Sequence, residues 1–271
     1  MTKRRESTAM FTEHISNEAS NESNTKNTNP ELQRANQKRL VIVTGDKGGV
    51  GKSTFSRGLL QVYVNKKINL LAYDADKRNP QLERHYGKDV VRCLDIFNRG
   101  EADILLVNLD EQQPPIALLD LPAQSGSFFE TFERELNIFD SLKDCGYQIT
   151  MVSVISRVKD SVSILKLLYE YCGDRVDYLV VKNLFYGAED KFERYDESKL
   201  RKQMKDKVTC QEIVMPDLFY KTYDFLDEHS LPFSGVYEHA KANLAIRLRV
   251  KSWLAEFEKN ALKAAAMLGL E

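Results

Sequence analysis

A glycine-rich stretch in the first quarter of the chain contains the residue types that bind phosphate. Residues 46–54 have the sequence DKGGVGKST. Glycine lets the backbone turn tightly around an anion without a Cβ clash, so that successive N–H groups face the phosphates. We expect Lys52 to reach the β- and γ-phosphates, Ser53 to bind Mg²⁺ and Thr54 to reach the α-phosphate. The stretch therefore predicts a site for a nucleoside triphosphate and Mg²⁺.

The elements on either side of this stretch are those that a phosphate-binding loop requires. Residues 40–43 are an apolar run that predicts a strand, and residues 55–64 follow with a helical pattern. Strand, glycine loop and helix in this order place the N-terminus of the helix beside the anion. A chance cluster of glycines in a loop does not predict this context.

Three aspartates occupy positions where α/β sheets bind ligands. Asp74 and Asp76 follow the apolar run 68–73, and Asp120 follows the apolar run 116–119. Side chains just beyond the carboxyl ends of buried strands face the ligand crevice of such sheets. Asp120 resembles the aspartate of a Walker B strand, which binds Mg²⁺ through water.

The string KGGVGKST resembles the deviant Walker A box of the ParA/MinD family of ATPases, and the resemblance covers about residues 39–260. Asp46 departs from the common P-loop, which has glycine at that position. In this family the additional lysine, here Lys47, crosses a dimer interface and contacts the partner's nucleotide. The resemblance therefore implies a homodimer that forms with ATP and Mg²⁺ and hydrolyses ATP. It assigns the phosphate contacts to Lys52 and to the loop residues Gly48, Gly49, Val50, Gly51, Ser53 and Thr54.

The same resemblance assigns roles to residues after the loop. Asp76 would orient or activate the attacking water, and Asp74 would support the shell of the Mg²⁺ that Ser53 and Asp120 hold. Asn183 resembles the strand-end asparagine that hydrogen-bonds the adenine edge. Pro216 resembles the proline whose neighbouring backbone packs on the base.

Alternating strand and helix patterns predict a doubly wound, mainly parallel sheet flanked by helices, a P-loop NTPase of the SIMIBI type. We expect residues 1–38 to form a disordered, asparagine-rich tail and residues 39–271 to form the ATPase domain. Periodicity predicts helices over 88–100, 127–143, 191–207 and 240–268, with residues 102–109 a short strand or a turn. Asp160 and Asp217 are expected to cap the helices over 161–171 and 218–229.

The bulk composition excludes several classes of protein. The chain has 271 residues, a net charge of −1 and 42% hydrophobic residues. No apolar run is long enough to span a membrane, and the basic N-terminus has no apolar stretch behind it, so a signal peptide is not expected. The four cysteines are widely spaced, which favours a reduced, cytoplasmic location.

Two basic clusters together are the candidate surface for contact with the phosphate backbone of DNA. The alternative for the cluster within residues 199–207 is a solvated helix face. The candidates are Lys199, Arg201, Lys202 and Lys205 in the first cluster, and Arg247, Arg249 and Lys251 in the second.

The ATP site leaves several biological roles open. A positioning or partition ATPase for plasmid or other mobile DNA, acting with a small adaptor or DNA-binding partner and with non-specific DNA, agrees with the basic clusters. A MinD-like membrane-cycling ATPase needs a basic amphipathic C-terminus, which residues 257–271 do not provide. A P-loop metabolic synthetase is a further alternative. A reductase of the nitrogenase iron-protein type would need a cysteine within 121–127, and a bacterial tyrosine kinase would need a tyrosine-rich tail.

Overall fold

One parallel sheet forms the centre of the protein. The computed structural model describes residues 37–45, 48–98 and 100–271, so the predicted tail lies almost wholly outside the described residues. The sheet order is β3-β2-β4-β1-β5-β6-β7, and every neighbouring pair is parallel. This confirms the predicted doubly wound architecture. The strands are β1 (Lys38–Thr44), β2 (Leu70–Asp74), β3 (Val91–Cys93), β4 (Ile116–Asp120), β5 (Tyr147–Ile155), β6 (Asp177–Asn183) and β7 (Cys210–Met215).

Helices cover both faces of this sheet. The described α-helices are α1 (Lys52–Asn65), α2 (Gln81–Tyr86), α3 (Asp103–Gln112), α4 (Gly126–Leu136), α5 (Ile138–Asp144), α6 (Lys159–Cys172), α7 (Glu193–Asp196), α8 (Lys199–Lys207), α9 (Tyr220–Glu228), α10 (Leu244–Ala261) and α11 (Ala265–Leu268). Short 3-10 helices occur at Leu184–Tyr186, Glu189–Lys191, Phe233–Tyr237 and Leu262–Ala264. None of these described helices combines the length and apolar character needed to cross a membrane.

The central strand β1 is apolar on both faces because both are covered. Val41 and Val43 pack in the core formed with α1, α2 and α9 to α11, whereas Leu40 and Ile42 pack in the core formed with α3 to α8. A parallel strand buried on both sides has a continuous apolar run instead of an alternating pattern. The run at 40–43 therefore indicated a central position in the sheet.

The strand order reverses at β1, which lies between β4 and β5. In doubly wound sheets the connections diverge at this point and leave a crevice beyond the carboxyl ends of the strands. The register places Asp120 opposite both Val43 of β1 and Asp74 of β2. The phosphate loop and two of the predicted carboxylates therefore meet at one edge of the sheet.

The predicted helix over 88–100 is wrong. Residues 91–93 form the short edge strand β3, and turns precede and follow it. Val91 is buried, and the amide of Leu94 donates to the carbonyl oxygen of Asp74 over 2.9 Å. Pairing with β2 outweighs the local three- and four-residue spacing of apolar side chains, since tertiary context overrides helix propensity. The stretch 102–109, expected as a short strand or a turn, lies almost wholly in helix α3 (Asp103–Gln112) instead.

Three of the predicted long helices are broken into shorter elements. The helix over 127–143 divides at Asn137, which has a φ of 48°. The stretch 191–207 divides before Ser198, whose side chain caps α8, and the stretch 240–268 divides after Ala261.

The two predicted N-caps are wrong. Asp160 lies inside α6, and α9 begins after Phe219, so neither Asp160 nor Asp217 is an N-cap.

Candidate functional site

The phosphate loop connects β1 to α1 and has the backbone conformation that its glycines allow. Gly49 has a φ of 76° and Gly51 a φ of 102°, in a region that other residues rarely adopt. Gly51 lies directly before α1, and its carbonyl oxygen accepts the first helical bond, 2.9 Å from the amide of Phe55. Asp46 and Lys47 lie outside the described residues, so the predicted contact of Lys47 with a partner is untested.

Gly51 is also required by a close approach of the neighbouring segment. A Cβ at this position would lie 2.4 Å from Nδ2 of Asn183 and 3.0 Å from Cε of Met215. The ends of β6 and β7 therefore pack closely against the loop. The spacing of glycines in the sequence did not reveal this second constraint, because it arises from residues more than 130 positions away.

Lys52 begins α1 and is buried, and Ser53 and Thr54 follow it in the first turn. Its aliphatic stem lies near Gly45, where an added Cβ would be 3.6 Å from Cδ of Lys52. Lys52, Ser53 and Thr54 all line a cleft at this edge of the sheet, together with Gly49 and Gly51. A buried lysine next to the exposed N–H groups of a helix start gives an anion-binding corner.

Asp120 is the carboxylate best placed to hold Mg²⁺. Burial and the nearby charge of Asp74 raise its pKa to about 7, while Ser56, Lys52 and Ser53 act in the opposite direction. Its Oδ1 is buried and has no hydrogen-bond partner within the described residues. A buried carboxylate oxygen without a partner is costly. A hydrated Mg²⁺ fits this oxygen and the Ser53 hydroxyl, since both are ligand types that Mg²⁺ prefers.

Asp74 is occupied by backbone contacts. Its Oδ2 accepts from the amides of Leu82 at 2.7 Å and Glu83 at 3.2 Å, and its Oδ1 accepts from the amide of Asp76 at 3.0 Å. Burial raises the pKa of Asp74, and these hydrogen bonds act to lower it. The carboxylate thus holds the first turn of α2 against the end of β2. Its role in the Mg²⁺ shell stays a prediction.

Asp76 is half-buried and lies in a tight turn after β2. Its Oδ1 accepts from the amides of Arg78 at 3.2 Å and Asn79 at 3.0 Å. This is an Asx turn, which orients the carboxylate and leads the chain into α2. Asn79 and Gln81, which follow, line the cleft.

The cleft beyond the carboxyl ends of the strands has a volume of about 460 Å³. The loop and the first turn of α1 form its polar end. Its other walls are largely apolar and aromatic, formed by Phe185, Met215, Pro216, Leu218, Tyr220 and Tyr223, and the polar residues Asn79, Gln81, Asn183 and Asp224 also line the cleft. Phosphate groups at one end and an aromatic base at the other match this division, as expected for nucleotide pockets.

Three aromatic residues of this cleft were not predicted from the sequence. Phe185 follows the end of β6 and is 62% exposed, and Tyr220 begins α9 and is 56% exposed. Tyr223 lies one turn further along α9. The available signal was an aromatic residue within a few positions of a strand's carboxyl end, which has value only once the strand order is known.

The two predicted base-contacting residues, Asn183 and Pro216, both line the cleft. Asn183 is buried; its Nδ2 donates to the carbonyl oxygen of Val50 over 2.9 Å, and its Oδ1 accepts from the amide of Phe185 at 3.1 Å. One N–H and one lone pair of the side-chain amide are left for a ligand. The carbonyl oxygen of Pro216 accepts a hydrogen bond from Nε1 of Trp253.

The two basic clusters lie on opposite faces of the sheet and do not form one continuous helix face. Helix α8 packs in the core on one side through Leu200 and Met204, and α10 packs in the other core through Val250 and Trp253. The sequence suggested a combined surface, because positions 199–205 and 247–251 have the same charge. Their separation depends on which face of the sheet each helix covers.

In the first cluster, two of the four cations are paired within the protein. Arg201 donates through Nε and Nη2 to both oxygens of Glu212 at 2.8 Å, and Lys205 lies 3.1 Å from the same carboxylate. Burial acts to raise the pKa of Glu212, but the hydrogen bonds from Arg201 and Lys205 outweigh it and lower the pKa to about 2. Lys199 and Lys202 are exposed.

In the second cluster, the cations lie on the exposed side of α10. The Nε of Arg247 donates to the carbonyl oxygen of Ala242 over 3.0 Å. The guanidinium of Arg249 lies over the ring of Phe219, 4.1 Å from its centroid. Lys251 is exposed. Phe219 immediately precedes the cleft residue Tyr220, so Arg249 connects this surface to the base side of the cleft.

Comparison with known proteins agrees with this geometry. A family model described as the CobQ/CobB/MinD/ParA nucleotide binding domain matches residues 41–254. Protein MobD of Acidithiobacillus ferrooxidans is 29% identical over 192 residues, which are 69% of this chain and 81% of MobD. The structure of a putative plasmid partition protein of Borrelia burgdorferi B31 bound to AMPPNP has a TM-score of 0.51 and 11% identity, and covers 84% of this chain and 100% of that chain. Chloroplast FtsY from Physcomitrella patens has a TM-score of 0.47 and 12% identity over 66% of this chain, which spans only 58% of that FtsY chain.

Proposed function

The chain belongs to the CobQ/CobB/MinD/ParA family of nucleotide-binding domains, and on this premise we propose that it is an ATPase that uses Mg²⁺ and positions plasmid or other mobile DNA. The observation that carries the catalytic part is the orphaned Oδ1 of Asp120 beside the first turn of α1. The biological part is supported by the likeness to MobD and to a plasmid partition protein.

The residues of the phosphate loop and of the neighbouring strand ends would have different roles in phosphoryl transfer. The loop amides and Lys52 bind the phosphates, and Ser53 and Asp120 would hold the Mg²⁺, which neutralises charge on the β- and γ-phosphates. Asp76 would orient the attacking water, and the Asx turn around its Oδ1 supports that role by fixing the side chain. Asp74 keeps α2, and with it Asn79 and Gln81, against the strand edge.

We propose that hydrolysis needs two subunits, since Lys47 would complete the charge stabilisation at the partner's nucleotide. The Lys47→Ala variant is expected to bind ATP normally but not to dimerise with ATP. The Lys52→Ala variant is expected to lose both properties, because it removes a cation from the phosphates. Analytical ultracentrifugation with ATP and with ADP tests this. An intact ATP dimer of Lys47→Ala would contradict the role of Lys47, and normal ATP affinity of Lys52→Ala would contradict the loop assignment.

We propose that the ATP-bound dimer binds non-specific DNA. Of the two basic helices, α10 is the better candidate for the DNA-binding surface. Arg247 and Lys251 are exposed on α10, and Arg249 lies against the segment that forms the base side of the cleft. Through this contact, a nucleotide bound in the cleft can change the orientation of the exposed face of α10. On α8, by contrast, Arg201 and Lys205 are both engaged in ion pairs with Glu212.

The test is duplex DNA binding with ATP, with ADP and without nucleotide, across a salt series. Proteins that neutralise phosphates lose affinity linearly in log salt, with a slope of roughly 0.9 per phosphate contact. We expect ATP-dependent binding that Arg247→Ala/Lys251→Ala weakens and that Lys199→Ala/Lys202→Ala, the matched pair on the opposite face, does not. Equal affinity with all nucleotide states would contradict the proposal. Binding to anionic liposomes instead would favour a membrane-cycling role.

The proposal extends to a small adaptor or DNA-binding partner that stimulates hydrolysis, and to a cytoplasmic, nucleoid-associated location when DNA is bound. Genes next to the one encoding this chain provide an inexpensive check. A gene for a small DNA-binding protein or a relaxase would support plasmid maintenance or transfer.

A further inference from the structure

Two side chains from one short segment bind successive carbonyl groups of the phosphate loop. The Nδ2 of Asn183 donates to the carbonyl oxygen of Val50 over 2.9 Å, and the phenol of Tyr186 donates to the carbonyl oxygen of Gly49. Asn183 ends β6, and Tyr186 ends the 3-10 helix Leu184–Tyr186 directly after it. The loop is thus held from the base side of the cleft.

These two hydrogen bonds determine which way the amides of the loop point. In a trans peptide the carbonyl and N–H groups point in opposite directions across a nearly rigid plane. Holding the carbonyls of Gly49 and Val50 therefore orients the N–H groups of Val50 and Gly51. These N–H groups are among the donors that a phosphate-binding loop presents to its anion.

The segment itself is pre-organised, so that Tyr186 arrives in one orientation. The Oδ1 of Asn183 accepts from the amide of Phe185 and caps the 3-10 helix. The amide of Gly187 donates to the carbonyl oxygen of Leu184 over 3.1 Å and closes the turn. The rings of Phe185 and Tyr186 meet edge to face, with centroids 5.2 Å apart.

We propose that Tyr186 is a positioning residue, which orients the loop amides of Val50 and Gly51 toward the phosphates through the carbonyl of Gly49. The role rests on the proposed nucleotide binding at this loop. Phe185 lines the cleft from the same turn, so a base bound against Phe185 and the orientation of the phosphate loop are mechanically linked.

The test compares Tyr186→Phe, which removes only the hydroxyl, with Tyr237→Phe, a matched change at a tyrosine that is 45% exposed and lies outside the cleft. Titration with fluorescent ADP, and competition by unlabelled ADP and by adenosine, measures the two ligands separately. Tyr186→Phe should weaken ADP by roughly 2- to 10-fold, the effect of one lost hydrogen bond, and leave adenosine unchanged. Tyr237→Phe should bind both as the unmodified protein does.

A second readout separates positioning from a general loss of stability. In ¹⁵N-resolved spectra, the amide signals of Val50 and Gly51 should move in Tyr186→Phe before ligand is added, with an unfolding temperature close to that of the unmodified protein. Unchanged ADP affinity, or an equal loss of ADP and adenosine, would overturn the positioning role. Failure of the unmodified protein to bind ADP would overturn the proposed function as well, so the two failures are distinguishable.

Discussion

The indole Nε1 of Trp253 donates a 2.8 Å hydrogen bond to the carbonyl oxygen of Pro216. The donor belongs to α10, and the acceptor lies in the wall of the cleft. Trp253 is buried, and its ring stacks on Phe233 and Phe257 with centroids 4.7 and 5.0 Å away. The last long helix and the base side of the cleft are therefore one packed unit.

Trp253→Phe should lower the free energy of unfolding by about 1–3 kcal/mol, because it leaves a void and removes the donor of the Pro216 carbonyl. Urea unfolding followed by circular dichroism measures this loss. A stability equal to that of the unmodified protein would show that the cleft wall does not depend on this contact.

The fluorescence of Trp253 should report nucleotide binding. It is the single tryptophan of the chain, so its emission is not obscured by other indoles. ADP in the cleft is expected to change the emission intensity through the Pro216 contact, with saturation at the ADP dissociation constant. The change should be absent in Lys52→Ala, which serves as the control. An emission signal that ADP leaves unaltered in a protein shown to bind ADP would contradict the coupling.

Gly51→Ala should weaken nucleotide binding by roughly tenfold or more. Its φ of 102° strains any other residue, and the new Cβ would meet Nδ2 of Asn183 at 2.4 Å. Strain of this kind amounts to about 1–3 kcal/mol and would be relieved by moving the loop away from its phosphate-binding conformation. Isothermal titration with ADP measures the effect.

Gly173→Ala is the matched control for Gly51→Ala. Gly173 also has a positive φ, of 60°, but within the described residues its added Cβ meets nothing within 4 Å. We expect a stability loss of about 1–2 kcal/mol with unchanged ADP affinity. Equal binding losses in the two variants would mean that a general loss of stability, and not the local geometry of the loop, weakens binding in Gly51→Ala.

Asp120→Asn and Asp74→Asn should separate metal binding from structural support. Asp120→Asn is expected to remove the Mg²⁺-dependent part of ATP affinity, at least roughly tenfold, because the metal loses its charged ligand. Asp74→Asn is expected to cost about 1–3 kcal/mol of stability, because the new amide group faces backbone N–H donors. Titrations of ATP with Mg²⁺ and with EDTA, beside thermal unfolding, distinguish them. The reverse pattern would assign the metal to Asp74.

Glu212→Gln should reveal a stabilising ion pair that disappears in acid. The pKa of Glu212 is lowered from 4.5 to about 2. Its contribution to stability is therefore present above pH 4.5 and is lost as the pH falls from 4.5 to about 2. At pH 7 we expect the variant to be less stable by roughly 0.5–1 kcal/mol, since the partly exposed pair is screened by solvent. Urea unfolding at pH 7 and near pH 2.5 measures the difference, which should shrink in acid. A difference that does not depend on pH would contradict the ion-pair account.

The phosphate loop could be predicted from the sequence because it is a local structure. Its chemistry depends on a short run of residues between one strand and one helix, and the glycine positions follow from backbone sterics alone. The parallel architecture was predictable for a similar reason, since apolar runs alternate with helical patterns along the chain. Asp120 could be singled out as a candidate metal ligand because it ends such an apolar run.

Other features depend on which strands and helices become neighbours in the folded protein. Strand pairing with β2 made residues 91–93 a strand, although their local spacing indicated a helix. Burial and three backbone donors gave Asp74 its structural role, and the packing of α8 and α10 on opposite faces separated the two basic clusters. The hydrogen bonds of Asn183 and Tyr186 to the loop join residues that are more than 130 positions apart. Such contacts follow from the sheet order and the packing of side chains, which local spacing along the chain does not encode.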